Sequence, residues 1–128
     1  MGFFDKALNE TKAAFNATSS KLDETIEVEK LESRIRDERR NIDKLYIEMG
    51  KEYYEYNTDK DEAHISKIEE NIPKIDESKE KIADYEKQIS DLKTKGKQER
   101  DDIRADADAK NKAIDEAEGK TSSETKEE

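Results

Sequence analysis

Between Val28 and Tyr56, apolar residues recur at alternating steps of three and four: Val28, Leu31, Ile35, Ile42, Leu45, Met49 and Tyr56. That period lines one stripe of an α-helix, and only Glu38 and Glu52 interrupt it. A second stripe follows with the same period, through Ile65, Ile68, Ile72, Ile75, Ile82, Ile89 and Leu92, with Lys79 as its break. Antiparallel arms joined by a short turn bring together residues whose numbers add to a constant. Ile42 with Ile75, Leu45 with Ile72, Met49 with Ile68, Ile35 with Ile82 and Val28 with Ile89 satisfy one such constant, and Glu38 with Lys79 satisfies it too. The pattern predicts an all-α, elongated antiparallel helical hairpin of coiled-coil type. Glu38 then faces Lys79 in one polar layer, which fixes register at a cost in stability. One pairing breaks the rule: Leu31 meets Glu86, so the neighbouring Tyr85 must swing in to cover it.

Four segments follow from the same pattern. Residues 1–18 form a short amphipathic helix, with Phe4, Leu8, Thr11 and Phe15 on one stripe and Phe3, Ala7 and Ala14 beside it. Thr18-Ser19-Ser20 interrupts it, and Ser20 with Asp23 has capping-box form, which starts the next helix. The hairpin occupies 19–96, with its turn at 57–61, Thr58 or Asp59 as the second N-cap, a kink at Pro73, and Gly96 as the stop. Residues 97–118 carry only Ile103, Ala107, Ile114 and Ala117 on their stripe and predict a marginal, solvated helix. The last stretch, 119–128, has the composition of a disordered tail.

Composition narrows what such a chain can do. With 47% of residues charged and 30% hydrophobic, a large central core is excluded, and a narrow apolar seam with solvated flanks is the form that suits it. The net charge of −10 argues against nucleic acid, whose phosphates need a basic face, and against strong adsorption to anionic lipid. There is no cysteine, so disulfides and thiolate metal sites are absent. No apolar run approaches the ~20 residues of a spanning helix, and the start has neither the basic nor the apolar region of a secretory signal. The expectation is a cytoplasmic protein.

Candidate chemistry is sparse. His64 is the single histidine, so histidine dyads and polyhistidine metal sites lack a second member, and it is expected as a surface side chain. Asp101, Asp102, Asp106 and Asp108 scatter around a helix and lack the glycine and final acid of a calcium loop. The acids offer no pair in an apolar pocket, the environment that tunes a carboxyl for proton transfer. No catalytic residue, cofactor or metal ligand is assigned. Two interaction features stand out. Tyr46, Gly50, Tyr53, Tyr54 and Tyr56 crowd the closed end of the hairpin, either as a plug or as a partner patch. Phe3, Phe4, Leu8 and Phe15 need cover, from a fold back beside Leu22 and Ile26 or from a second copy, ahead of a lipid surface.

Two stretches carry a resemblance. The opening MGFFDK with its Thr/Ala/Ser-rich helix, and LYIEMGKEYYE from Leu45 to Glu55, resemble small cytosolic helical proteins of low-GC Gram-positive bacteria that end in a four-cysteine zinc ribbon. The likeness covers about residues 1–95 and implies a bacterial helical hairpin with no activity to carry over. The ribbon and its metal are missing here, because the chain has no cysteine. A looser likeness is to phage-shock-type membrane proteins, which also begin with an amphipathic helix but have much longer arms. The function implied is a non-enzymatic coiled-coil interaction or scaffold protein with an unidentified protein partner, or a homodimer. The alternative is a peripheral membrane protein held by its N-terminal helix.

Overall fold

The computed structural model describes residues 2–127, with side chains through Glu118; the expectation for 119–128 lies outside the described side chains. Two helices, α1 (Gly2–Asp59) and α2 (Ala63–Glu127), pack against each other as a helical hairpin, with no strand among the described residues. They divide into two compact units: Glu27–Asp91, and Met1–Ile26 with Leu92–Glu128.

The turn lies later than expected. α1 runs through 57–59 and ends at Asp59, and Lys60 takes a left-handed conformation at φ 58°. Lys60 N–H donates to the Tyr56 carbonyl at 2.7 Å, closing the last turn of α1. The Asp59 carboxylate accepts the Asp61 N–H and the Asp61 carboxylate accepts the Ala63 N–H, each at 2.9 Å. Asp61 therefore caps α2, in place of Thr58 or Asp59.

In the Glu27–Asp91 unit, the α1 seam is the expected one: Val28, Leu31, Ile35, Ile42 and Leu45 are buried, and Glu38, Met49, Glu52 and Tyr56 half-buried. The α2 seam shares Ile65, Ile68, Ile75, Ile82 and Ile89 with the expected stripe, but its alternate positions are Asn71, Ser78 and Tyr85 in place of Ile72 and Lys79. Ile72 and Lys79 are exposed, while Ser78 is only 3% exposed. The Glu38–Lys79 layer is accordingly replaced. Asn41 donates to Ser78 Oγ at 2.9 Å, Asn71 donates to Glu48 at 3.4 Å, and the charge of Glu38 acts on Lys81. The physical reason is economy of desolvation: a small hydroxyl bonded to an amide fits the seam without removing two full charges from water. α2 continues through the exposed Pro73, where the Glu69 carbonyl loses its backbone donor at a point open to solvent.

The other unit departs further. α1 does not break at Thr18-Ser19-Ser20, so residues 1–18 are not a separate element. Thr11 and Thr25 hydroxyls donate to the carbonyls four residues back, at 2.8 Å each, which removes their competition with the helix. α2 does not stop at Gly96. A Cβ there would collide with the Glu24 carboxylate, so this glycine gives passage to a side chain and does not end a helix. Residues 97–118 are packed, not solvated: Ala107 is 2% exposed, and Ile103, Asn111 and Ile114 are half-buried. The seam positions here are Gly2, Lys6, Asn9, Ala13, Ala17, Ser20 and Glu24 on α1, and Gly96, Arg100, Ile103, Ala107, Asn111 and Ile114 on α2. Both run in steps of four, three and four, an eleven-residue period, whereas the Glu27–Asp91 seam keeps the seven-residue one.

Candidate functional site

The small-residue seam decides what the first 26 residues offer to solvent. Phe4, Leu8, Phe15, Leu22 and Ile26 fall within about 40° of one another at ~100° per residue, and lie roughly 160° from the centre of the α1 seam. They point away from α2. Phe3 is 82% exposed and Phe15 72%, and Phe4, Leu8, Leu22 and Ile26 are all exposed. The helix does not fold back on Leu22 and Ile26, which join the Phe stripe on a single face. The reason lies in the partner. Gly2 approaches so near the Glu118 side chain that a Cβ would collide with it, and Asn9 donates to the Ala107 carbonyl at 2.9 Å and to Asn111 Oδ1 at 3.0 Å. A seam this tight and polar takes alanines and glycines and has no room for phenylalanine rings.

Ala7, Thr11, Ala14, Thr18 and Thr25 fill the gaps, so the uncharged sector widens to roughly 140° of the helix circumference. A shallow depression lined by Ala17, Thr18, Lys21, Leu22 and Thr25 runs along one edge. The charged side chains of this segment stand off the face. Lys6 pairs with Asp115; Glu24, 7% exposed, receives Lys21 at 2.8 Å and Arg100 at 3.2 Å. The Lys21 hydrogen bond first, and then Arg100, hold the Glu24 carboxyl below its ordinary pKa.

The tyrosine patch is split. Tyr46, Gly50 and Tyr53 share one exposed face of α1 by helical position. Tyr54, four residues after Gly50, continues that exposed face around the helix, and Tyr56 lies half-buried on the seam. Tyr56 Oη donates to Glu62 at 3.3 Å, and Lys60 Nζ stands 5.4 Å from its ring centroid. The charge of Glu62 raises the pKa of that phenol. Gly50 meets no atom within 4 Å of an added Cβ, so nothing of this chain packs on it.

The side chain that sequence reasoning undervalued is His64. It is tethered, not free: Nδ1 lies 2.6 Å from Glu52 and 3.6 Å from Glu55, and Nε2 lies 2.9 Å from Asp59. The Asp59 and then the Glu52 hydrogen bonds raise its pKa to about 9, so the ring is an imidazolium clamping the end of α1 to the start of α2. Glu52 is held low chiefly by His64, and Asp59 chiefly by the Asp61 N–H and then by His64. The donor atoms of Glu52, Glu55 and His64 also lie within 4.8 Å of one another, a set that could ligate a divalent cation were the ring deprotonated. The signal available in sequence was positional: Glu52 and Glu55, three apart on one helix end, face the first turn of the next.

No helix among the described residues is long and apolar enough to cross a membrane. Comparison with family models, curated proteins and solved structures returned no match.

Proposed function

We propose that the protein is a non-enzymatic interaction module that attaches to another surface through the outward apolar face of residues 3–26. The observation that carries this reading is the placement of two phenylalanines, two leucines and an isoleucine on the side of α1 opposite its partner helix, with Phe3 exposed at the edge of that face. Together these side chains offer on the order of 600 Å² of apolar surface, at the upper end of what a soluble monomer exposes without an interaction to explain it. The likeness of the MGFFDK and LYIEMGKEYYE stretches to zinc-ribbon-tailed helical proteins supports the same class, because their shared part is a hairpin and not a catalytic domain. The test is fractionation of native-type cells producing either the wild type or Phe4→Asp/Phe15→Asp. Wild type in a membrane or large-assembly fraction, with the variant shifted to the free pool, supports attachment through this face. Equal distribution of the two overturns it.

A further inference from the structure

The closed end of the hairpin carries a group of side chains with no part in the attachment reading. Glu52 and Glu55 stand three residues apart near the end of α1, which places them on one face, and His64 stands in the first turn of α2. A carboxylate oxygen of each glutamate and an imidazole nitrogen lie within 4.8 Å of one another. His64 Nδ1 is 2.6 Å from Glu52 Oε2 and 3.6 Å from Glu55 Oε2, so both glutamates approach the same ring nitrogen. In a tetrahedral zinc site with bonds of about 2.0–2.2 Å, neighbouring donors stand roughly 3.4 Å apart. The two separations at Nδ1 bracket that value.

The other ring nitrogen is held as that of a ligating histidine is. Nε2 lies 2.9 Å from Asp59 Oδ2. A histidine that binds a metal through one nitrogen donates its remaining N–H to a carboxylate, carbonyl or water, which fixes the tautomer and the ring orientation. Asp59 on Nε2 therefore leaves Nδ1 as the ligating atom, on the side where Glu52 and Glu55 stand. Glu52 has a second charged neighbour, Lys67 Nζ at 3.6 Å, but that contact is to Oε1 and leaves Oε2 to the cation. The surroundings also favour positive charge. α1 has no basic residue in its last turn, although the C-terminal end of a helix attracts cations. Lys60, directly after α1, lies instead against the Tyr56 ring.

We infer that Glu52, Glu55 and His64 form a binding site for a divalent cation of the zinc type, with Asp59 as the outer carboxylate on His64. The donor set selects the class of ion: an imidazole nitrogen suits zinc and its transition-metal neighbours, whereas magnesium and calcium are held by oxygen. Three protein ligands leave a fourth position to water. In the metal-free chain the imidazolium proton holds the same side chains together, and the cation takes its place and releases it. The bound ion cross-links the end of α1 to the start of α2 across the turn at Lys60–Glu62. It acts on the closed end of the hairpin and is independent of the apolar face of residues 3–26.

The experiment titrates the full chain with zinc chloride, in excess magnesium chloride, against a chromophoric chelator, and counts zinc per chain after gel filtration. One zinc per chain is expected. Because the chain has a single histidine, nitrogen NMR assigns the ring directly: one equivalent of zinc should move the Nδ1 resonance and leave Nε2 protonated. Asp59→Asn should weaken binding about 10–100-fold, the range for a lost outer carboxylate, and His64→Gln should abolish it. Glu55 is exposed, and the His64 contacts to Glu52 and Asp59 do not depend on it. Glu55→Gln therefore keeps the metal-free hairpin at unchanged helicity, and should weaken zinc binding by at least as much as Asp59→Asn. One equivalent of zinc should raise the melting temperature of the wild type and leave that of Glu55→Gln in place. Equal binding by wild type and Glu55→Gln, or an Nδ1 resonance that zinc does not move, assigns the metal to scattered surface carboxylates and overturns the inference. So does a wild type that takes up no zinc.

Discussion

The two units solve one problem, holding two helices together, with opposite distributions of apolar groups. In the Glu27–Asp91 unit most large aliphatic residues point inward, Ile47 and Ile72 excepted, and Ile42, Leu45 and Ile75 form a buried cluster against which Met49 and Ile82 pack. In the unit built from residues 1–26 and 92–128, the one buried hydrophobic residue among those described is Ala107, and the large apolar groups of α1 point outward while Ile103 and Ile114 of α2 are half-buried on the seam. Its seam holds a buried Glu24 with Arg100, amides at Asn9 and Asn111, and small residues. The first arrangement stabilises the hairpin by burial. The second leaves that energy unspent in the free protein and available to an external surface. A hydrophobic pattern therefore identifies a helix face without saying which neighbour will cover it.

The contrast breaks most visibly in the cores. Leu45→Ala, at a 6% exposed position in the buried cluster, should lower unfolding stability by about 2–4 kcal/mol. Phe15→Ala removes a larger side chain from a face that touches nothing of this chain, and should change it by less than about 0.5 kcal/mol. Urea denaturation of the two purified variants, without lipid, checks the pair. A large loss for Phe15→Ala would mean that its ring is buried in the free protein.

Much of this was legible, and the places that were not share a cause. The α1 seam from Val28 to Tyr56 takes in every apolar residue of the predicted stripe, with Glu38 and Glu52 between them, because large aliphatic groups are both the hydrophobic choice and the ones that fill the gap. On α2 a hydrophobicity rule chooses Ile72 over Asn71 and treats Lys79 as an interruption, whereas packing uses Asn71 and Ser78. Tyr85 and Leu92 already marked that alternative, standing seven and fourteen residues after Ser78 on its line. In residues 1–26 the same rule finds Phe4, Leu8 and Phe15, but the chain's own partner segment is small and polar and accepts Asn9, Ala13 and Ala17 instead. The His64 cluster was hidden because it exists only once the turn is placed at Lys60–Glu62, which brings Glu52 and Asp59 to one ring.

Smaller in scale is a pH effect confined to one unit. His64 has its pKa raised to about 9, so its contribution to stability is complete below about 6.5, the unfolded value, and disappears as pH rises through about 9. Glu52 and Asp59, which face it, are lowered, so their contributions are present above the ordinary carboxyl range and fade as pH falls below it. The turn of the Glu27–Asp91 unit is thus tightest between these limits. Glu24 gives the other unit the same acid-side loss, but no histidine stands there to add the alkaline one. Hydrogen exchange followed by NMR should show amides near Ala63 losing protection above pH 9, with those near Ala107 following only global unfolding. An imidazole titration midpoint near 6.5 would remove the clamp from the account.

The finest distinction is between two glycines inside helices. Glycine in a helix interior is less favourable than alanine by about 0.5–1 kcal/mol. At Gly50 the added methyl group meets open space, so Gly50→Ala should realise that gain nearly in full. At Gly96 the methyl group meets the Glu24 carboxylate and stands close to Arg100. The glutamate is flexible and can withdraw, but withdrawal separates it from Arg100 and leaves a buried guanidinium whose Nη1 already lacks a partner. Gly96→Ala should therefore gain distinctly less than Gly50→Ala, or lose stability, because an uncompensated buried charge costs more than helix propensity returns. Thermal melts of the two variants beside the wild type decide it, and equal gains at both positions would mean that Glu24 does not cross the seam over Gly96.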